Sequence, residues 1–383
     1  MQTWWRGANE LDEHQQKIMD LPSDGSFAIT GPPGSGKTNL LLMRGAYLSS
    51  LSRNIAVLVM NRTLAEFIKT GAAGYGISPD SVMTSKQFIG ALAAENGTPL
   101  KRGLMWEEGR VDATEALRQI VRAKGRPIYD TILIDEAQDH NEEELALLKQ
   151  LARDIYLTAD ARQLIYETGS ADDRFSELVQ AHHELPYHYR SAPEICDLAD
   201  LIGDTYTKPY VRIAPTCRYP VTSPKGEVQV KTATLAEQGT LVAARLPLQL
   251  RAFRGELIGI FTPNRRDAGQ LAEILAAAGF GDQMTVQVGE GYMEIKPDRP
   301  ICISTVHGAK GLEFRAVHFC AAETVKSHGK TQKRVAFTAV TRAKTSLTVY
   351  HDQALPPYLQ TAVARWREPA ADAPNWRSIF NGN

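Results

Sequence analysis

One short string limits the architecture more than any other feature of the chain: GPPGSGKT at 31–38, set between the apolar run FAIT at 27–30 and the apolar helical pattern TNLLLMRGAYLSSL. A glycine-rich turn that leaves a strand and enters a helix is the context a phosphate-binding loop requires. Gly31, Gly34 and Gly36 let backbone N–H groups curl around phosphate oxygens without a Cβ clash, with Pro32, Pro33 and Ser35 completing the turn. The N-terminus of the following helix adds a favourable dipole. Lys37 is then placed to reach the β- and γ-phosphates of ATP, and Thr38 to coordinate Mg²⁺.

LIDEAQD at 133–139 is the second anchor. An apolar strand, TILID at 131–135, delivers Asp135 and Glu136 to its carboxyl end, which lies beside the phosphate loop in such sheets. Asp135 suits the metal and Glu136 the attacking water; taken alone, the pair also suits a helix N-cap. The runs IAVLVM at 55–60 and IYLTAD at 155–160 read as buried parallel strands, and NEEELALLKQLA after DEAQD continues the strand–helix alternation. A second series starts at EVQVKTA near Glu227 and passes through ELIGIFT, ICIST and AVHFCAA to SLTVYH at 346–351. The expected fold class is therefore α/β, with two lobes built on parallel sheets. Pro and Gly cluster at 207–226, so the expected division is an ATP-binding lobe at 1–190, a connector at 191–226, a second lobe at 227–355 and a tail at 356–383.

With the phosphate loop and DEAQD in place, the remaining strings resemble, in order, the motifs of superfamily 1 helicases of the UvrD/Rep type. The resemblance spans residues 11 to 343 and implies two RecA-like P-loop lobes that hydrolyse ATP while gripping a nucleic-acid strand. LDEHQ at 11–15 resembles the adenine-reading Q motif, so Gln15 would meet the base edge. TADARQLIY at 158–166 resembles motif III, with Gln163 sensing the γ-phosphate and Tyr166 facing the strand. YHYRS at 187–191 resembles motif IV, which makes Tyr189 the adenine stacker and Arg190 the first arginine finger. STVHGAKGLEF at 304–314 resembles motif V, placing Thr305 and His307 near nucleic acid and Glu313 near the ribose. VAFTAVTRAK at 335–344 resembles motif VI, with Arg342 the second finger. Two guanidiniums are physically apt, because phosphoryl transfer spreads charge over the γ-oxygens and a cation from the opposite lobe neutralises it only when the lobes close. VMNRTLAEFIK at 59–69 and TSKQF at 84–88 resemble motif Ia and the element after it, so Asn61, Arg62, Thr84 and Phe88 are candidate strand contacts; Phe88 equally suits a core.

Two departures from the family pattern bear on activity. The family follows its motif III Tyr with an aromatic, basic segment that stacks a base, whereas this chain has ETGSADD. The intervals that house accessory subdomains in relatives are also short here, leaving a nearly bare motor that would rely on a protein partner for duplex separation or nuclease action. Charge is unevenly spread: residues 1–190 carry 20 Lys and Arg against 26 Asp and Glu, residues 191–383 carry 23 against 18, and 296–344 hold ten basic side chains against three acidic. Such a cluster could neutralise phosphates or simply be a solvated surface. Cys196, Cys217, Cys302 and Cys320 lack paired C-x-x-C spacing, and no apolar run reaches about 18 residues. A reduced cytoplasmic setting, without signal peptide, membrane, zinc or disulfides, is expected. Three functions fit: a translocase or helicase on single-stranded DNA or tailed duplex, a nucleic-acid-gated ATPase that regulates a partner in repair or phage defence, and a non-enzymatic adaptor.

Overall fold

The computed structural model describes residues 7–166, 172–206, 210–288, 295, 296 and 298–367. Of ETGSADD at 167–173, all but the backbone of the last two residues lies outside them, as does the tail from 368 onward.

The expected α/β class holds. In the first sheet the strands are β1 (Phe27–Thr30), β2 (Ile55–Val59), β3 (Val82–Thr84), β4 (Tyr129–Ile134), β5 (Ala152–Ala159) and β6 (Ala181–Glu184), in the order β3-β2-β4-β5-β1-β6. The second contains β7 (Glu227–Thr232), β8 (Ile258–Thr262), β9 (Met284–Val286), β10 (Ile301–Thr305), β11 (Phe314–Phe319) and β12 (Ala343–His351), in the order β7-β12-β11-β8-β10-β9. Every pairing in both is parallel. The central strands β1, β2 and β8 are buried at every residue, which is why they read as continuous apolar runs: helices cover both faces.

Those helices are α1 (Glu13–Met19), α2 (Lys37–Ser50), α3 (Arg62–Ala72), α4 (Ser85–Glu95), α5 (Trp106–Lys124), α6 (Glu142–Gln150), α7 (Pro193–Gly203), α8 (Leu235–Ala252), α9 (Arg265–Leu275), α10 (Gln332–Thr341) and α11 (Pro357–Arg367). Reciprocal capping boxes start several of them, with Asp12 and Gln15 on α1, Thr84 and Gln87 on α4, Asn141 and Glu144 on α6, and Thr234 and Glu237 on α8. Helices α4 to α6 close one face of the first sheet over Phe88, Leu117 and Leu148, and α8 and α9 close one face of the second over Val242 and Leu271. The other faces share one apolar cluster that runs from Leu40 and Leu64 through Leu185 and Ala192 to Phe337 and Leu359. The lobes also meet through the loops that follow β2, β4 and β10, where Asn61 bonds the Lys310 carbonyl and Lys310 bonds Asp139.

Three edge strands are absent from the sequence reading. β3 and β9 have three residues each, and β6 is AHHE with alternating exposure, so none presents an apolar run. The 191–226 interval is more than a connector in this structure: α7, opened by Pro193, packs against β7, β12, α10 and α11. A fragment spanning 191–367 is expected to unfold cooperatively on heating, whereas 227–367 lacks the helix on which α10 and α11 rest and should show no cooperative transition by circular dichroism. Identical melting of the two fragments would place α7 outside that core.

Candidate functional site

The phosphate loop sits between β1 and α2, and its glycines are needed for shape as well as freedom. Gly34 and Gly36 adopt φ of 68° and 87°, and a Cβ would come within 2.3 Å of the Arg190 side chain at the first and 2.8 Å of the Gln15 amide at the second. Lys37 is buried, its ammonium donating to the Gly31 and Pro32 carbonyls at 2.8 and 2.9 Å. Burial pushes that ammonium below its usual range, opposed by Asp160, Glu136 and Asp135. Thr38 Oγ1 donates to Asp135 Oδ2 at 2.8 Å, while Thr158 holds the other oxygen. A hydroxyl and a carboxylate side by side at the phosphate loop form an oxygen donor set that fits Mg²⁺ with a nucleotide phosphate.

Glu136 follows the strand in the left-handed region, at φ 53°. Among non-glycine residues this conformation is uncommon and points to a site where geometry outweighs local preference. Burial raises its carboxyl, but Lys310, Arg342 and Lys37 outweigh that and hold it below its ordinary value. Gln138 donates to the same carboxylate.

The second lobe reaches into this site. Lys310 is buried with its ammonium 2.6 and 2.7 Å from the two oxygens of Asp139, 2.7 Å from the Gln163 carbonyl and 3.5 Å from Glu136. Arg342, also buried, donates to the side-chain oxygen of Gln163 and to the Leu312 carbonyl, and Gln163 in turn donates to Asp160 at 2.8 Å. Arg190 donates to Glu313 at 2.6 Å and to the Thr341 carbonyl at 3.2 Å. Glu313 is half-buried, and desolvation would raise its carboxyl, yet Arg190 and Lys344 pull it down to about 2. Lys37, Thr38, Glu136, Gln163, Arg190 and Glu313 thus line one small cavity of about 70 Å³ between the lobes. A neighbouring cavity of about 370 Å³ is lined by Gln15, Tyr189 and Glu313. Gln15 donates to the Ser35 carbonyl at 3.0 Å, and Tyr189 donates to Asp12, so both are oriented by the loop and the α1 cap.

Two residues of this cluster escape sequence reasoning. Lys310 looks like one more exposed cation in a basic run, and nothing local marks its partner 171 residues away. His188 accepts from the Ser191 N–H at 2.8 Å through Nε2, so Nδ1 carries the proton and donates to the Pro33 carbonyl. It clips the Arg190 segment onto the phosphate loop. Burial and the neighbouring Arg190 push this imidazole down to about 4.

The candidate strand contacts divide. Asn61, Arg62, Thr84, Tyr166, Thr305 and His307 all line a cavity of about 970 Å³ that both lobes enclose. Asn61 bridges the lobes through the Lys310 carbonyl at 2.8 Å and caps Leu64 N, and Thr84 caps α4. Phe88 is a correction: it is 1% exposed and packs 5.4 Å from Tyr129 in the core, away from this cavity.

Comparison with known proteins agrees with both ends of the chain. Residues 21–173 match the family model of an AAA domain, and residues 300–350 match that of a UvrD-like helicase C-terminal domain. Among solved structures the chain is similar to the C-terminal domain of a possible DNA helicase from Lactobacillus plantarum WCFS1, at 21% identity over 46% of this chain and 96% of that one, with a TM-score of 0.35. It is also similar to PRRSV helicase, at 14% identity over 85% of this chain and 52% of that one, with a TM-score of 0.40. No curated protein matches. Among the described residues no helix is long and apolar enough to cross a membrane.

Removing one partner of a buried ion pair strands the other charge, at a cost of about 3–5 kcal/mol. Lys310→Ala should therefore be strongly destabilising, and Lys310→Ala with Asp139→Asn much less so; additive effects of the two substitutions in denaturant melts would show that the pair is not coupled. His188 gives a pH signature. Its folded value lies near 4 against an ordinary 6.5, so the unfolded chain binds the extra proton between these values. Its stabilising effect is complete above about 6.5 and is lost as pH falls towards 4. The melting temperature should drop across that window, and less steeply in His188→Asn; the same slope in both proteins would contradict the neutral assignment.

Proposed function

We propose that this UvrD-like helicase, built on an AAA-type P-loop domain, is a superfamily 1 motor that hydrolyses ATP to ADP and phosphate as it moves along single-stranded DNA. One observation carries the reading: Arg190, held at the Thr341 carbonyl of the second lobe, lines the cavity that Lys37, Thr38, Glu136 and Gln163 approach from the first, and Arg342, held at the Leu312 carbonyl, reaches it through the Gln163 side chain.

The residues suit that reaction in distinct ways. Thr38 and Asp135 would hold Mg²⁺, which supplies charge neutralisation at the β- and γ-phosphate oxygens when bound. Lys37 and the loop amides bind the phosphates, and Gln15, Tyr189 and Glu313 form the walls for base and ribose. Glu136, kept ionised by its cationic neighbours, orients the attacking water and accepts its proton at a carboxylate oxygen. Gln163 sits between Asp160 and Arg342, so it registers whether the second lobe has arrived. Arg342 and Arg190 stabilise charge that develops only during transfer, and both depend on lobe closure. The cavity of about 970 Å³ along the same interface, lined by Asn61, Arg62, Tyr166, Thr305 and His307, is the place for the strand. Lys310 and Asn61 span the interface between the two cavities, which supports coupling of strand grip to hydrolysis.

ATP turnover should be low alone and rise strongly with single-stranded DNA, with the stimulation weakening as salt increases. Arg342→Ala should lower stimulated turnover by about 10³-fold or more while nucleotide binding persists. Lys37→Ala should lose binding and turnover together, whereas Glu136→Gln should bind ATP without hydrolysing it. Full turnover in the absence of nucleic acid would refute the coupling.

Unwinding is a separate matter. Between Phe88 and Asp130, an interval described throughout, the chain builds only α4 and α5, which leaves little there to hold strands apart. Each base-pair step takes about 1.4 kcal/mol to open, so a motor without a wedge steps while the duplex closes again ahead of it. The purified chain should unwind long tailed duplexes poorly, and a partner that engages duplex should raise unwinding far more than ATP turnover. Processive unwinding of several hundred base pairs by the chain alone would overturn this.

A further inference from the structure

An aromatic group stands where the sequence supplies none. Trp106, the first residue of α5, stacks on Tyr166 with ring centroids 5.5 Å apart and planes 23° from parallel. Tyr166 meets His307 edge-on at 5.5 Å, and His307 meets His328 at 5.0 Å. The row thus crosses from the first lobe to the second, and all four rings line the cavity of about 970 Å³. Trp106 is the exposed member: it keeps 48% of its surface open, whereas His307 is half-buried. A large indole left that open on a helix start, supported from one side by a tyrosine, is a prepared surface for a second flat ring.

We propose that Trp106 is a base-stacking platform for the single strand, taking the place of the aromatic group that ETGSADD does not provide; this rests on the motor reading above. The charges around it separate base from phosphate. Glu107 is the next residue and lines the same cavity, so phosphates are disfavoured beside Trp106, while exposed Lys86 and Arg265 on the cavity wall offer cations for the backbone. The base then faces the indole and the backbone runs along the basic side. Stacking is indifferent to base identity, which suits a motor that must pass over any sequence. Position supports the same role: Trp106 touches the very tyrosine that follows Gln163 by three residues, so a base resting on the row presses against the segment that also carries the γ-phosphate sensor.

The test compares an oligothymidylate with an abasic strand of equal length and charge, by fluorescence anisotropy, for the intact chain and two variants. Loss of one stacked base is worth roughly 5- to 100-fold in affinity. The unaltered protein should therefore prefer the oligothymidylate, Trp106→Ala should bind it roughly 5- to 100-fold more weakly and show little preference over the abasic strand, and Trp106→Phe should retain most of both. Nucleotide affinity and melting temperature should be unchanged in both variants, since the indole is half open. Should Trp106→Ala keep the full preference for bases, the stacking role is wrong while the motor stands. If instead the unaltered chain binds neither strand, the motor reading fails and takes this inference with it.

Discussion

A lysine ammonium carried by one lobe is neutralised inside the other, and the rest of the site depends on that contact. Lys310 leaves the loop after β10 and ends between both oxygens of Asp139 and the Gln163 carbonyl, with almost no exposure. An ion taken out of water at an interface is tolerable only if every one of its donors finds an acceptor. The three acceptors belong to the first lobe, so the ammonium is satisfied only when the lobes are together. Asn61 reads the same loop through the Lys310 carbonyl, and the neighbouring turn at Gln163 receives Arg342. On the proposed reading, closing the lobes would therefore set the phosphate side and the strand side in one movement.

Each of the two guanidiniums at the site has a protein partner. Arg342 rests on Gln163 and Arg190 on Glu313. A phosphate entering the small cavity would compete with those partners for the same guanidiniums, so binding exchanges one set of charge contacts for another instead of creating cations from nothing. On the proposed reading, such exchange would keep the closed form from being excessively stable by itself and leave nucleotide to decide the balance. It also accounts for a cluster of buried charges, among them Lys37, Asp135, Glu136, Asp160 and Arg342, that a structural core would avoid.

What was legible in the sequence follows from range. GPPGSGKT and LIDEAQD are contiguous strings whose strand–turn context fixes their geometry, and the central strands announce themselves by burial on both faces. Edge strands such as AHHE, half exposed and four residues long, give no such signal. Nor could spacing reveal Lys310 on Asp139 or His188 on Pro33, because the partners are 171 and 155 residues apart. Phe88 illustrates the converse. An aromatic residue one turn into a helix suits a strand contact or a core equally until the helix is placed, and α4 turns it inward against Tyr129. Trp106 gives no signal in the sequence for the same reason: a tryptophan there gains meaning only from the tyrosine that α5 sets it upon.

On the proposed reading, one interface, held by Lys310, links lobe closure to nucleotide and strand. Spin labels on exposed Gln150 in the first lobe and exposed Glu273 in the second would report the distance between lobes by pulsed electron resonance. With a non-hydrolysable ATP analogue and single-stranded DNA the distribution should become short and narrow, and Lys310→Ala should leave it long or broad under the same conditions. A distribution unchanged by nucleotide and strand, or an Ala variant that closes as tightly as the parent, would contradict the account.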